Sequence, residues 1–117
     1  MDYYEHYPSV FEDVESIRKL PVVYALSTHD FAYVKLGMTS SLKQRFINIQ
    51  TACPFKLFLW LGIRTPIPEQ IESYLHKKYK EFRVNGEWFS FRQEQLDELL
   101  VFFSKTNKHI REVKNGR

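Results

Sequence analysis

Nine residues in the middle of the chain, Phe55-Lys-Leu-Phe-Leu-Trp-Leu-Gly-Ile63, are apolar with the single exception of Lys56. The run is far short of the roughly 20 residues that a membrane span needs, and too unbroken for a strand with one wet face. It predicts a strand buried on both faces in the middle of a sheet. The rest of the chain must then supply neighbouring strands and helices to cover them. With 117 residues there is material for one compact domain with one core. An aromatic content of 16% excludes disorder as the dominant state. The one cysteine, Cys53, excludes an internal disulfide and a cysteine-based zinc cluster.

The flanking sequence supplies those partners. Val22–Leu26 and Phe31–Leu36 are β-rich runs separated by Ser27-Thr28-His29-Asp30, which reads as a hairpin with a short polar turn. Leu42, Phe46 and Ile49 form a helical stripe over residues 41–50, broken by Pro54. Pro66 and Pro68 sit at a helix entrance, and Ile71, Leu75, Tyr79 and Phe82 carry that helix to about residue 82. Asn85-Gly86 is a turn, and Trp88, Phe89 and Phe91 make a short apolar segment. Ser90 and Gln93 have capping-box spacing ahead of Leu96, Leu99, Leu100 and Phe103. Ser9 and Glu12 have the same spacing ahead of Val10, Phe11, Val14 and Ile17, which predicts an earlier helix ended by Pro21. No period continues beyond Lys105, so a loose tail is expected. The reading is an α+β fold: a small three-stranded sheet, hairpin plus a central strand, flanked by helices. It is a single domain overall, with an acidic arm and helix over 1–20, a core over 21–91, and a C-terminal helix with a basic tail over 92–117.

Charge divides along the same lines. Residues 1–20 hold five acids against Arg18 and Lys19, whereas fifteen of the seventeen Lys and Arg fall after residue 20. A basic body suits a polyanion, because each phosphate neutralised releases condensed counterions; a solubilising surface is the plainer reading. The start, Met1-Asp-Tyr-Tyr-Glu5, lacks the basic-then-apolar order of a secretion signal, so a cytoplasmic or nuclear protein without membrane attachment is expected.

Five short motifs stand in order within the core. Val22-Val23-Tyr24 is followed by Lys35-Leu36-Gly37-Met38-Thr39, then by Arg45 in Leu42-Lys43-Gln44-Arg45-Phe46. Glu72 stands in Ile71-Glu72-Ser-Tyr-Leu75-His76, and Gly86-Glu87-Trp88-Phe89 closes the series. This set resembles the GIY-YIG nuclease superfamily over residues 21–91, and is most similar to its phage-type branch with a Lys-Ile-Gly-like second motif and a Glu-Trp-Phe ending. Three departures are plain. Val-Val-Tyr replaces Gly-Ile-Tyr, Lys35 stands where most members have Tyr, and Ile49 stands one helical turn after Arg45 where many have His. The resemblance implies a metal-dependent endonuclease that hydrolyses DNA phosphodiester bonds directly, without a covalent enzyme intermediate.

The residue types suit that chemistry. Hydrolysis needs an activated water, counter-charge for the transition state and help for the leaving oxygen. Tyr24 serves as a base only if its pKa of about 10 is lowered, and Lys35 on the adjacent strand is the expected cation. Arg45 offers a planar fork for phosphate oxygens. Glu72 is the expected ligand for one Mg²⁺ or Mn²⁺ ion per site, since one carboxylate with waters and substrate phosphate is a normal way to hold Mg²⁺. Thr39, Lys43, His76, Lys77, Lys80 and Asn85 are the expected nucleic-acid contacts. Each has a plainer reading: Tyr24 as strand packing, Lys35 as an edge charge, Arg45 and the lysines as solvated surface, Glu72 as a bridge to Lys35, Arg45 or His76, Thr39 as a helix cap. Glu87 reads as a buried structural acid or as a partner of Arg45 or Lys35. The expected partner is DNA, with RNA as the alternative, and the chain is a monomer or a homodimer. A nucleic-acid-binding module without catalysis and a protein-interaction adaptor are the competing functions.

Overall fold

The fold is that of a computed structural model, which describes residues 20–114. The expected helix at Ser9–Ile17 and the acidic arm lie outside the described residues. Strands β1 (Val22–Thr28), β2 (Val34–Thr39) and β3 (Leu57–Arg64) alternate with helices α1 (Leu42–Ala52) and α2 (Pro68–Lys78). A 3₁₀ turn (Lys80–Phe82), two short strands, β4 (Arg83–Asn85) and β5 (Trp88–Phe89), and the long helix α3 (Gln93–Lys114) complete the chain. All strand pairs are antiparallel, in the order β3-β1-β2-β5-β4.

This corrects the three-stranded expectation twice. The sheet has five strands, because the Asn85-Gly86 turn joins a small hairpin that pairs with β2. Gly86 has φ +52°, a conformation that glycine adopts without a side-chain penalty. Moreover, β3 is an edge strand and β1 lies between β3 and β2. The apolar run in β3 has a different cause from central position. Its pairing with β1 shifts between Ala25 and Leu26, leaving Trp60 as an extra residue. The bulge reverses the alternation of faces, so Leu59 joins the core under α1, while Leu61 and Ile63 join the core under α2 and α3. Two covered faces make a strand apolar whether or not it has neighbours on both edges.

Helix α1 lays Leu42, Phe46 and Ile49 on Val22, Tyr24, Leu26 and Leu59. The larger core on the other face gathers Val23, Ala25, Leu36, Leu75, Tyr79, Phe89, Leu99 and Phe103. Phe31, expected to open the second strand, instead sits in the turn at φ +60°, with its ring edge-on to Phe58 and Trp60. Asp30 holds this turn by accepting hydrogen bonds from Thr28 Oγ1 and the Ala32 amide, both at 3.0 Å. At the other end of the chain, α3 continues through the segment expected to be loose, running to Lys114. Its start is held by Gln95 Oε1, which accepts from the Arg92 amide, in place of the expected Ser90–Gln93 box. Asn107 Nδ2 donates to the Gly62 carbonyl at 3.0 Å and so ties α3 to β3. No helix among the described residues is long and apolar enough to cross a membrane.

Candidate active site

The site grows from a gap in the sheet. Strand β5 pairs with β2 at Val34 and Lys35, and the Leu36 amide donates to the Glu87 carbonyl. Beyond that point the edge of β2 has no strand beside it among the described residues. Tyr24 lies opposite Gly37 in the β1–β2 register, and its ring crosses the place where a side chain would stand. A Cβ on Gly37 would come within 2.5 Å of the Tyr24 hydroxyl oxygen and 3.1 Å of Glu87 Oε1. Glycine is therefore required here by close approach, because no larger residue leaves room for the phenol.

Around that gap the two faces of the sheet meet. Arg45 comes from α1 on one side, and Glu72 and His76 come from α2 on the other. Lys35 Nζ donates to Glu87 Oε1 at 2.8 Å and lies 5.8 Å from the centre of the Trp88 ring. His76 Nε2 sits 2.8 Å from the Leu36 carbonyl oxygen, and its ring is edge-on to Phe89. A carbonyl only accepts, so Nε2 donates this hydrogen bond.

Tyr24 is fully buried, and its hydroxyl has no hydrogen-bond partner among the described residues. Burial pushes its pKa up to about 12, with Glu87 and Glu72 adding to the rise and Arg45 opposing it. The cation acting on the phenol is thus Arg45, whereas Lys35, expected in that role, is engaged by Glu87. Burial also raises the Glu72 pKa; the Glu87 charge raises it further, while His76, Lys35 and Arg45 pull it back.

One oxygen or nitrogen from each of Glu72, His76 and Glu87 lies within 4.8 Å of the others. The two carboxylates suit a divalent cation such as Mg²⁺ or Mn²⁺, and the imidazole adds a nitrogen donor that favours a transition-metal ion over Mg²⁺. A ring nitrogen held by a backbone carbonyl is also the usual support for a ligating histidine. The Glu87 charge that raises the proton affinity of Glu72 favours a divalent cation there for the same electrostatic reason. The donor chemistry therefore fits a metal, with Glu87 shared between that role and Lys35.

Of the residues expected at the site, Tyr24, Lys35, Arg45, Glu72 and His76 come together. Thr39 stays local: its Oγ1 accepts from the Ser41 amide at 3.1 Å and shapes the approach to α1, whose cap residue, Ser41, makes no side-chain cap bond. Lys43, Lys77, Lys80 and Asn85 are exposed, and nothing among the described residues ties them to the Tyr24 cluster. Neighbouring Lys78 lies over the rings of Tyr74 and Tyr79, at 5.8 and 5.4 Å from their centres.

This frame, from the start of β1 to the second half of α3, coincides with a known domain: residues 22–104 match the T5orf172 domain. The chain belongs to the T5orf172 family. That family is associated with endonuclease-like proteins and related to the nuclease-type domains of phages. No curated protein and no solved structure matches the chain. In this T5orf172 domain, sequence reasoning left Glu87 between two readings and missed the far end of α1. Lys35 and Glu87 are 52 positions apart, and no local pattern pairs them. Asn48, Ala52 and Pro54 line an open groove beside Lys35, Arg45 and Trp88, a surface that no motif marks.

Proposed function

We propose that this T5orf172 domain is a metal-dependent endonuclease of the GIY-YIG type, hydrolysing phosphodiester bonds in DNA. The observation that carries the reading is the buried Tyr24 hydroxyl, set between one guanidinium and two carboxylates with no well-formed hydrogen bond to a described residue, Arg45 approaching it most closely. A buried hydroxyl without a partner costs stability, and such groups are maintained where a substrate or a water completes them.

In this reading a water held at the Tyr24 oxygen attacks phosphorus and gives its proton to the tyrosinate. The bond from phosphorus to the leaving sugar oxygen breaks and that oxygen takes a proton from solvent water, which yields one phosphate monoester end and one hydroxyl end. Arg45 offsets the charge that builds on the phosphate oxygens and favours the ionised phenol. Lys35 holds Glu87 in place and adds positive charge beside the phosphate. Glu72, with His76 and Glu87 beside it, would hold one Mg²⁺ or Mn²⁺, which when bound supplies counter-charge to those carboxylates and to the leaving oxygen. The raised pKa of Glu72 means that protons compete for this carboxylate at a pH where an ordinary glutamate is already ionised.

The test is nicking of supercoiled plasmid by wild type and Glu72→Gln, each with Mg²⁺, Mn²⁺ or EDTA. Nicking by wild type alone, and with metal alone, is the expected result. A specific observation favours a second reading. With its pKa at about 12, Tyr24 is a neutral phenol at pH 7 in the free protein, as a binding module without catalysis would tolerate. That module gives a salt-sensitive gel shift in EDTA and no nicking in any lane.

A further inference from the structure

Helix α1 presents Arg45, Asn48, Ile49 and Ala52 at spacings of three, four and seven, which is a single stripe along its length. At 1.5 Å per residue the stripe runs about 10 Å. It forms one wall of an open groove of about 610 Å³, and Lys35 and Trp88, partners in the β2–β5 register, stand on the other. That volume lies within the range of about 300–1,000 Å³ typical of sites for small organic ligands. The lining joins two cations, Lys35 and Arg45, to apolar surface from Ile49, Ala52 and the indole, with one amide, Asn48, among them.

That amide is oriented. Gln44 Nε2 donates to Asn48 Oδ1 at 3.0 Å, which leaves the Asn48 Nδ2 hydrogens as its free donors. Donors fit the acceptors, a ring nitrogen, a carbonyl oxygen or both, that every nucleobase carries on its edge. A phosphate at Lys35 and Arg45 thus has, along the stripe, room and chemistry for the sugar and base attached to it. A duplex does not enter a groove of this size; one nucleotide does, provided that its base has left the stack.

We propose that the groove between α1 and Trp88 receives the unstacked base of the nucleotide next to the bound phosphate. The domain would then act on nucleic acid containing an unpaired or extruded base, in preference to regular duplex. This proposal rests on the nuclease reading and names the substrate class of that same site.

The experiment measures binding in EDTA, where cleavage plays no part, to three DNA duplexes: one with a single bulged nucleotide, one with an abasic residue in the bulge, and one fully paired. Stacking and edge contacts of one base predict about tenfold tighter binding of the base-bearing bulge than of the abasic one. Ala52→Leu, an exposed position on α1, narrows the groove and brings that ratio close to one. Asn48→Ala, exposed as well, lowers it a few-fold and serves if the first variant does not fold. Equal affinity of the wild type for the base-bearing and abasic bulges overturns the proposal, as does a ratio unchanged in both variants. Metal-dependent cleavage of the three duplexes at equal rates leaves the nuclease standing and removes the groove's role. Absence of both binding and cleavage removes the nuclease reading, and the groove's role with it.

Discussion

Two tyrosines are buried in this small domain, one under each face of the sheet, and they differ in what their hydroxyls touch. Tyr79, under α3, donates to Glu98 Oε1 at 3.0 Å, with its ring edge-on to Phe91. Tyr24, under α1, has an equally buried ring and no partner for its hydroxyl, although Arg45, Glu72 and Glu87 all act on it electrostatically. A satisfied hydroxyl in an apolar core is packing with a polar end. An unsatisfied one among charges marks a place where the protein leaves a bond for something else to make.

The largest expected effect breaks the pair apart by activity. Tyr24→Phe lowers metal-dependent nicking by a factor of about 10²–10⁴, the usual worth of a general base, whereas Tyr79→Phe leaves it within about twofold. Equal losses in the two variants would remove the special status of Tyr24. Next comes Gly37→Ala, whose methyl group meets the Tyr24 ring; overpacking of this kind costs about 1–3 kcal/mol in urea unfolding. Because one of the two close contacts is the hydroxyl itself, the double variant Gly37→Ala/Tyr24→Phe recovers part of that cost. Strict additivity would mean that the two side chains do not meet.

Alkaline unfolding sharpens the comparison further. Below pH 10 Tyr24 is protonated both in the folded and in the unfolded chain, and contributes no pH dependence. Between pH 10 and about 12 the unfolded tyrosine ionises while the buried one stays protonated. Stability therefore falls through that window, by about 1.4 kcal/mol per pH unit from this residue. Tyr79, also raised by burial and by its bond to Glu98, contributes in the same direction, so the slope lessens in Tyr24→Phe without vanishing. The smallest effect is at neutral pH. Removing a bonded hydroxyl in Tyr79→Phe destabilises by about 1 kcal/mol, whereas Tyr24→Phe leaves thermal stability nearly unchanged, because its hydroxyl has no well-formed bond to lose and only the approach of Arg45 to give up.

How much of this was legible in the sequence depends on the range of the signal. The β1–β2 hairpin and helices α1 and α2 follow from local periodicity. The edge position of β3 does not, because an apolar run reports covered faces and is silent about hydrogen-bonded neighbours; the bulge at Trp60 hides even which face each leucine takes. Strands β4 and β5, three and two residues long, are too short to carry an alternation. The last turns of α3 lack an apolar stripe, so helix geometry there is invisible to a search for period. In the candidate site, the order of Tyr24, Gly37, Arg45 and Glu72 along the chain was readable. The Lys35–Glu87 pair stood only as one of several readings of Glu87 and the α1 groove was not readable, because both arise from elements that meet only after folding.

The two outer edges of the sheet bear on how two copies of the domain could meet. On β3, the Leu57 amide is taken by Gln50 Oε1 at 2.7 Å and the Gly62 carbonyl by Asn107. On the far side, β4 offers only three residues. Neither margin is a long open template for strand addition. If two of these domains act on opposite strands of one duplex, strand addition at either of these margins is disfavoured, and a continuous sheet through them does not set the spacing of their cuts.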